Sequence, residues 1–191
     1  MILGSASPRR RELLALITPD FTAQSADADE TLPEGIAPIE AVERLSRIKA
    51  EAVLALQPQK EDVAVIGADT IVYIDGEILG KPHSRKQAAA MLRQLSGRAH
   101  TVCTGVTVLI NGECRTFHQT TAVRFYPLSE DEIAWYTSLE EPYDKAGAYG
   151  IQGAGAHLVE AITGDYFNVM GLPVALLSRT LREMGVLPPL K

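Results

Sequence analysis

Apolar positions along this chain change period several times, and each change predicts an element. Met1 to Gly4 reads as a short apolar strand. Ser7 followed by Pro8 is a helix-start pattern, N-cap then first helical residue, so a helix is predicted through "RRRELLALI". "FTAQS" fits a second strand, and the acidic, turn-rich "ADADETLPEG" fits a loop. From Pro38 to about Leu56, the positions Val42, Leu45, Lys49, Ala52 and Leu56 recur at 3-4-3-4 spacing, one face of a long amphipathic helix. "VAVIGADT" is a nearly continuous apolar run, the pattern of a strand buried on both faces.

The second half continues the alternation. "IDGE" marks a tight turn into "ILGKP". Ser84 with Gln87, and Ser129 with Glu132, are capping-box signatures ahead of "KQAAAMLRQL" and "DEIAWYTSL". Between them Asn111-Gly112 predicts the two-residue turn of a long hairpin. "KAGAYGIQGAGA" is glycine-rich, "HLVEAI" fits a strand, and a last helix spans about Val174 to Met184. Helices and strands alternating around an inserted hairpin imply an α/β fold with a mixed sheet. No repeat, low-complexity tract or linker interrupts the 191 residues, which suits one domain over 1–191.

Composition narrows the function. With 46% hydrophobic and 22% charged residues, the chain has an ordinary globular make-up. A net charge of −6 argues against a surface that wraps nucleic acid. No apolar run approaches the about 20 residues that cross a membrane, and no signal-peptide pattern opens the chain, so the cytoplasm is the expected compartment. The hairpin register separates Cys103 from Cys114 by roughly 20 Å along the strands, which disfavours a disulfide or a two-cysteine metal site.

Against that acidic background, three groups of residues suggest chemistry. In "SASPRRR", three arginines crowd the first turn of a helix, against its dipole. They form either a solvated basic turn or an anion cradle, with Ser5 and Ser7 leaving room for a phosphate chain. Adjacent helical positions diverge by about 100°, so at most two of the three arginines share a ligand. Lys49 lies inside an apolar stripe, either snorkelling to solvent or reaching an anion. Asp69, read at the exit of its strand behind the small pair Gly67-Ala68, which leaves room for a substrate, suits a divalent metal or an attacking water, and Thr70 follows it. Lys81 in "LGKP" is a turn lysine or a further phosphate contact. Asp144, Lys145 and Gln152 stand among glycines, which let backbone amides approach a ligand, and a glutamine amide can read a base edge. Glu30 completes an inventory of cations and carboxylates that fits a nucleoside triphosphate with a divalent ion. Neither a Walker A sequence nor GxGxxG is present. The four histidines form no triad with an interpretable spacing, so metal-assisted attack by water is favoured over covalent catalysis.

"SASPRR", "GADT", "GKP", "LSGRAHTV", "DKAGAYGIQG" and "VMGLP", in that order, resemble the Maf family of nucleotide pyrophosphatases over essentially the whole chain. The resemblance implies an elongated mixed α/β sheet of the inosine triphosphate pyrophosphatase type, two-lobed with a central cleft. It implies hydrolysis between the α and β phosphates with a divalent cation, Mg or Mn. Asp69 matches the proton acceptor, and Arg9, Thr70 and Gln152 match positions linked to substrate choice. Ser5, Arg10, Glu30, Lys49 and Lys81 match other polar positions of the site, with Glu30 and Asp69 as the candidate metal ligands. "SPRR", "GADT" and "KAGAYGIQG" resemble the branch acting on dTTP and UTP, with modified pyrimidine nucleotides as further candidates. Gly4 departs from the family's usual alanine. Homodimers are common among relatives, although no stripe here marks an interface. The resemblance also carries a different reading, a non-enzymatic nucleotide-binding regulator of septum formation and cell division.

Overall fold

A computed structural model describes residues 1–189. Strands β1 (Ile2–Gly4), β2 (Thr22–Ala23), β3 (Val65–Ile74), β4 (Glu77–Leu79), β5 (Ala99–Ile110), β6 (Glu113–Phe125) and β7 (Val159–Thr163) form one mixed sheet. Hydrogen-bonded neighbours run β2-β1-β3-β5-β6-β7, with β4 on β3. Helices α1 (Pro8–Ala15), α2 (Pro38–Ala55), α3 (Arg85–Leu95), α4 (Glu130–Tyr136), α5 (Tyr166–Met170) and α6 (Val174–Glu183) complete the α/β fold. The chain divides into two compact units. The first comprises Met1–Asp69, Thr104–Gln119 and, among the described residues, 171–189; the second comprises Thr70–Cys103 and Thr120–Met170.

In the first unit β1 is parallel to both β2 and β3, with Ile2 opposite Val65 and Gly4 opposite Gly67. Helix α2 lies directly on this layer because two strand positions lack side chains. A Cβ on Gly67 would stand 2.1 Å from the Ser46 carbonyl oxygen and 2.6 Å from the Ala50 nitrogen. A Cβ on Gly105 would stand 2.3 Å from the Val42 carbonyl oxygen. Around these contacts Ala50, Val53, Val65 and Leu109 form an apolar cluster. Ser46 fastens the helix, its hydroxyl bonded to the Glu43 carbonyl at 2.8 Å and to the Thr107 hydroxyl at 2.9 Å. The space at Gly67-Ala68, expected to admit a substrate, is thus filled at Gly67 by helix backbone, and Ala68 is fully buried.

Two further expectations change here. The buried face of α2 is Ala41, Val42, Leu45, Ser46, Ala50 and Val53, whereas Leu56 lies past the helix end and is 56% exposed. Over five turns a 3.6-residue helix drifts off a strict 3.5 spacing, so Lys49 sits at the border of the apolar face rather than within it. Strand β3 also continues through the β-branched "IVYI" to Ile74, which puts Asp69 at its middle, not its exit. Its last pair with β1 is at Gly67, so Asp69 lies just past the carboxyl end of β1 instead.

The second unit has its own core, which includes Val72, Leu92, Leu95, Val102, Phe125, Ile133, Tyr136, Tyr149 and Leu158. Positive φ at Asp75 and Gly76 makes the β3–β4 turn, and at Asn111 and Gly112 the β5–β6 turn, as read from "IDGE" and "NG". At Ser129 both capping-box bonds form. At Ser84 the side chain accepts from the Gln87 amide, but Gln87 Oε1 accepts from His83 N instead of the cap residue. Helix α5 was absent from the periodicity reading, its five residues being too few to show a helical period. No disulfide joins Cys103, buried, to Cys114, exposed.

Two predictions follow from the packing of these units. Gly67→Ala drives a methyl into α2 backbone, which cannot rotate away as a side chain does. Urea denaturation should show a loss of about 3 kcal/mol or failure to fold; wild-type stability would mean that α2 is not seated at this distance. In the other core His100 stacks edge-on with Phe125 and Tyr149, and its Nε2 meets the Tyr149 hydroxyl at 2.7 Å. Burial pushes its pKa down from 6.5 to about 4. Between those values the unfolded chain holds a proton that the fold does not. Stability should therefore drop by up to about 3 kcal/mol as pH falls from 6.5 to 4. His100→Phe should remove that increment; an unchanged pH slope would exclude His100 as its source.

Candidate active site

The carboxyl end of β1 gathers the first group of candidate residues. Ser5 follows the strand directly and is buried. Its Oγ accepts the Ser7 amide at 3.2 Å and faces Arg10 Nη1 at 3.4 Å. Ser7 does stand at the N-cap of α1 with extended backbone, but its side chain makes no capping bond. The Ser5 hydroxyl orders this turn instead. Arg10 is turned inward from α1, where its Nε donates to the Gly171 carbonyl at 2.8 Å. Burial lowers its basicity, Asp69 and Glu30 raise it, and Arg9 lowers it further. A guanidinium stays protonated throughout the working range of a protein, so Arg10 is a fixed, half-buried cation. Arg11 is exposed and donates to the Ala6 carbonyl at 3.1 Å. Arg10 and Arg11 therefore point apart as helical geometry requires, and Arg9 before them is half-buried.

A second cation is delivered from α2. Lys49 Nζ forms an ion pair with Asp69 Oδ1, and its distance to Glu30 Oε2 is 3.2 Å. The exposures of Lys49 and Asp69, 21% and 15%, take this pair well out of bulk water, whereas Glu30 on its loop is 47% exposed. Strand alternation puts Asp69 on the same face as Gly67, the face α2 covers, which explains why the helix lysine meets it. The ammonium does not run free to solvent: it meets the carboxylates of its own chain. An ammonium held by two carboxylates, one on a loop and one in a strand, marks a place with strong affinity for positive charge.

The remaining candidates lie in the second unit. Thr70 is half-buried on β3, while Lys81 and Gln152 are exposed. Lys81 follows Gly80, whose carbonyl accepts the Gly147 amide at 3.1 Å. The residue of this unit that sequence reasoning passed over is Glu141, in the 3₁₀ turn Glu141–Asp144. Its Oε2 accepts the Ala154 amide at 2.8 Å, and its Oε1 accepts the Gly155 amide at 3.1 Å and the Tyr136 hydroxyl at 2.9 Å. Tyr136 Oη in turn accepts the Gly150 amide at 3.1 Å. Burial opposes ionisation of Glu141, but the bonds from Gly155, Ala154 and Tyr136, with Lys145 nearby, outweigh it and hold the carboxyl below its usual 4.5. The glycine-rich amides, expected to approach a ligand, are thus committed at 150, 154 and 155 to this carboxylate and phenol. Glu141 gave no signal because a glutamate pair before a proline has no period and no partner in sequence. Gly171 was visible only as part of "VMGLP".

The sequence profile of the Maf-like protein family matches residues 1–184. The chain belongs to the Maf family. Among curated Maf relatives, the dTTP/UTP pyrophosphatase of Bacillus velezensis is 52% identical over 186 residues, 97% of each chain. That of Halalkalibacterium halodurans is 48% identical over 186 residues, 97% of this chain and 95% of its own. The Ham1 protein of Staphylococcus aureus superposes with a TM-score of 0.58 at 16% identity, covering 96% of this chain and 98% of its own. At that identity the likeness is one of fold alone, and it agrees with the expected inosine triphosphate pyrophosphatase-like architecture.

Proposed function

We propose that this protein is a nucleoside triphosphate pyrophosphatase that hydrolyses dTTP and UTP to the monophosphate and pyrophosphate. The observation that carries the reading is the Lys49 ammonium shared by Asp69 and Glu30, on a chain 52% identical to a dTTP/UTP pyrophosphatase. The names of its relatives give no support to a regulator without turnover. Modified pyrimidine nucleotides are further substrates to test. The reading takes residues 1–191 as a single Maf-like domain working in the cytoplasm, with a homodimer as its assembly. Among the described residues no helix is long and apolar enough to cross a membrane.

In this reading Ser5, Arg10, Lys49 and Lys81 hold the phosphate chain. Arg10 brings a planar fork suited to two phosphate oxygens, and Lys49 a point charge. Asp69, fixed in a strand, accepts a proton from the attacking water as the bond between the α and β phosphates breaks. One water is consumed, and its oxygen ends on one of the two products. Arg9, Thr70 and Gln152 govern which nucleotide is accepted, the glutamine amide offering both donor and acceptor to a base edge.

Glu30 and Asp69 also suit a divalent cation, because both carboxylates already converge on one positive centre. An oxygen-only donor set fits Mg or Mn, and two carboxylates leave the other positions to phosphate oxygens and water. Such a cation, when bound, supplies charge neutralisation of the triphosphate.

Pyrophosphate release from a panel of nucleoside triphosphates, with Mg or Mn, tests this. Wild type should prefer dTTP and UTP, and Asp69→Asn should lose at least about a hundredfold in kcat with its folding intact. A near wild-type Asp69→Asn enzyme would remove Asp69 from the mechanism. Arg9→Ala should change the ranking of nucleotides more than it changes stability; an unaltered ranking would overturn that assignment.

A further inference from the structure

Nucleotide choice at an exposed Gln152 depends on how firmly the backbone beneath it is held. The segment 150–155 contains three glycines, which are conformationally loose unless tied down. Here both of its ends are tied to one polar pair. Gly150 N reaches the Tyr136 hydroxyl, and Ala154 N and Gly155 N reach the two carboxylate oxygens of Glu141. Tyr136 donates to that same carboxylate and is itself fully buried, so the anchor cannot swing. Lys145 Nζ caps the arrangement from the Glu141 carbonyl at 3.0 Å. The glycines fit this anchor closely: a Cβ on Gly153 would stand 2.1 Å from Glu141 Oε2, and one on Gly155 would stand 2.7 Å from the Tyr136 hydroxyl. These glycines leave room for the chain to close around the Glu141–Tyr136 pair, and Gln152 stands exposed within the loop so formed.

We infer that Glu141, with Tyr136, is the positioning residue for the Gln152 loop and thereby sets the discrimination between pyrimidine and purine nucleotides. This rests on the reading of Gln152 given above. The carboxylate touches neither substrate nor reacting atoms. Its loss should therefore weaken and blur recognition without slowing the chemical step.

The test is steady-state kinetics on UTP, dTTP, ATP and GTP for wild type, Glu141→Gln, Tyr136→Phe and Gln152→Ala. Glutamine keeps the size of Glu141 but has one acceptor oxygen where three donors require two. Glu141→Gln should raise KM for UTP and dTTP about tenfold, with kcat within about twofold of wild type, and should narrow the preference over ATP and GTP. Tyr136→Phe keeps the carboxylate and its two amides, so it gives the same pattern at about threefold and serves if Glu141→Gln does not fold. A fall in kcat alone, equal on all four nucleotides, would overturn the inference, as would unchanged KM and selectivity in both variants. If Gln152→Ala shifts selectivity and the two anchor variants do not, this inference alone fails. If Gln152→Ala has no effect, the role of Gln152 fails and takes the inference with it.

Discussion

The close seating of α2 on the sheet is the contact on which the rest depends. Helix and strand backbones approach at Gly67 and Gly105 to distances that no side chain would allow. That approach closes the core of the first unit through Ala50, Val53, Val65 and Leu109. It also settles electrostatics. A helix held this close carries Lys49 to the face of β3 where Asp69 stands, two residues beyond Gly67. Packing and charge arrangement are therefore one event: a helix displaced by a methyl would shift the ammonium as well.

The charge centre has a cost that the neighbouring groups offset. Asp69 is largely removed from water, and a carboxylate there needs a counter-charge. Lys49 supplies it directly, and Arg10, half-buried in the first turn of α1 and tied to Gly171, contributes at longer range. The basic turn that began as an oddity in an acidic chain thus has an internal reason. At least one of its arginines balances carboxylates of its own chain whether or not a phosphate is bound.

Much of this was legible in the sequence, for identifiable reasons. Asn111-Gly112 and "IDGE" gave their turns because positive φ demands those residue types, and Ser129 with Glu132 gave a helix start because the capping bonds are local. The strand containing Asp69 was read too short, since its second half is as apolar as its first and only β1 ends nearby. Gly67 was read as space for a ligand because sequence does not say which partner a missing side chain admits. Lys49 was singled out by helical spacing, although the stripe that singled it out drifts by Leu56. Glu141 escaped notice because its partners are backbone amides, which any sequence provides.

The most direct test is a double-mutant cycle on Lys49 and Asp69, using Lys49→Met, Asp69→Asn and the pair, with stability measured by urea denaturation. An ion pair held in a half-buried site by α2 predicts a coupling energy of about 1–3 kcal/mol. A coupling indistinguishable from zero would mean that the two groups do not meet in solution, and the charge centre on which both fold and chemistry have been argued would not exist.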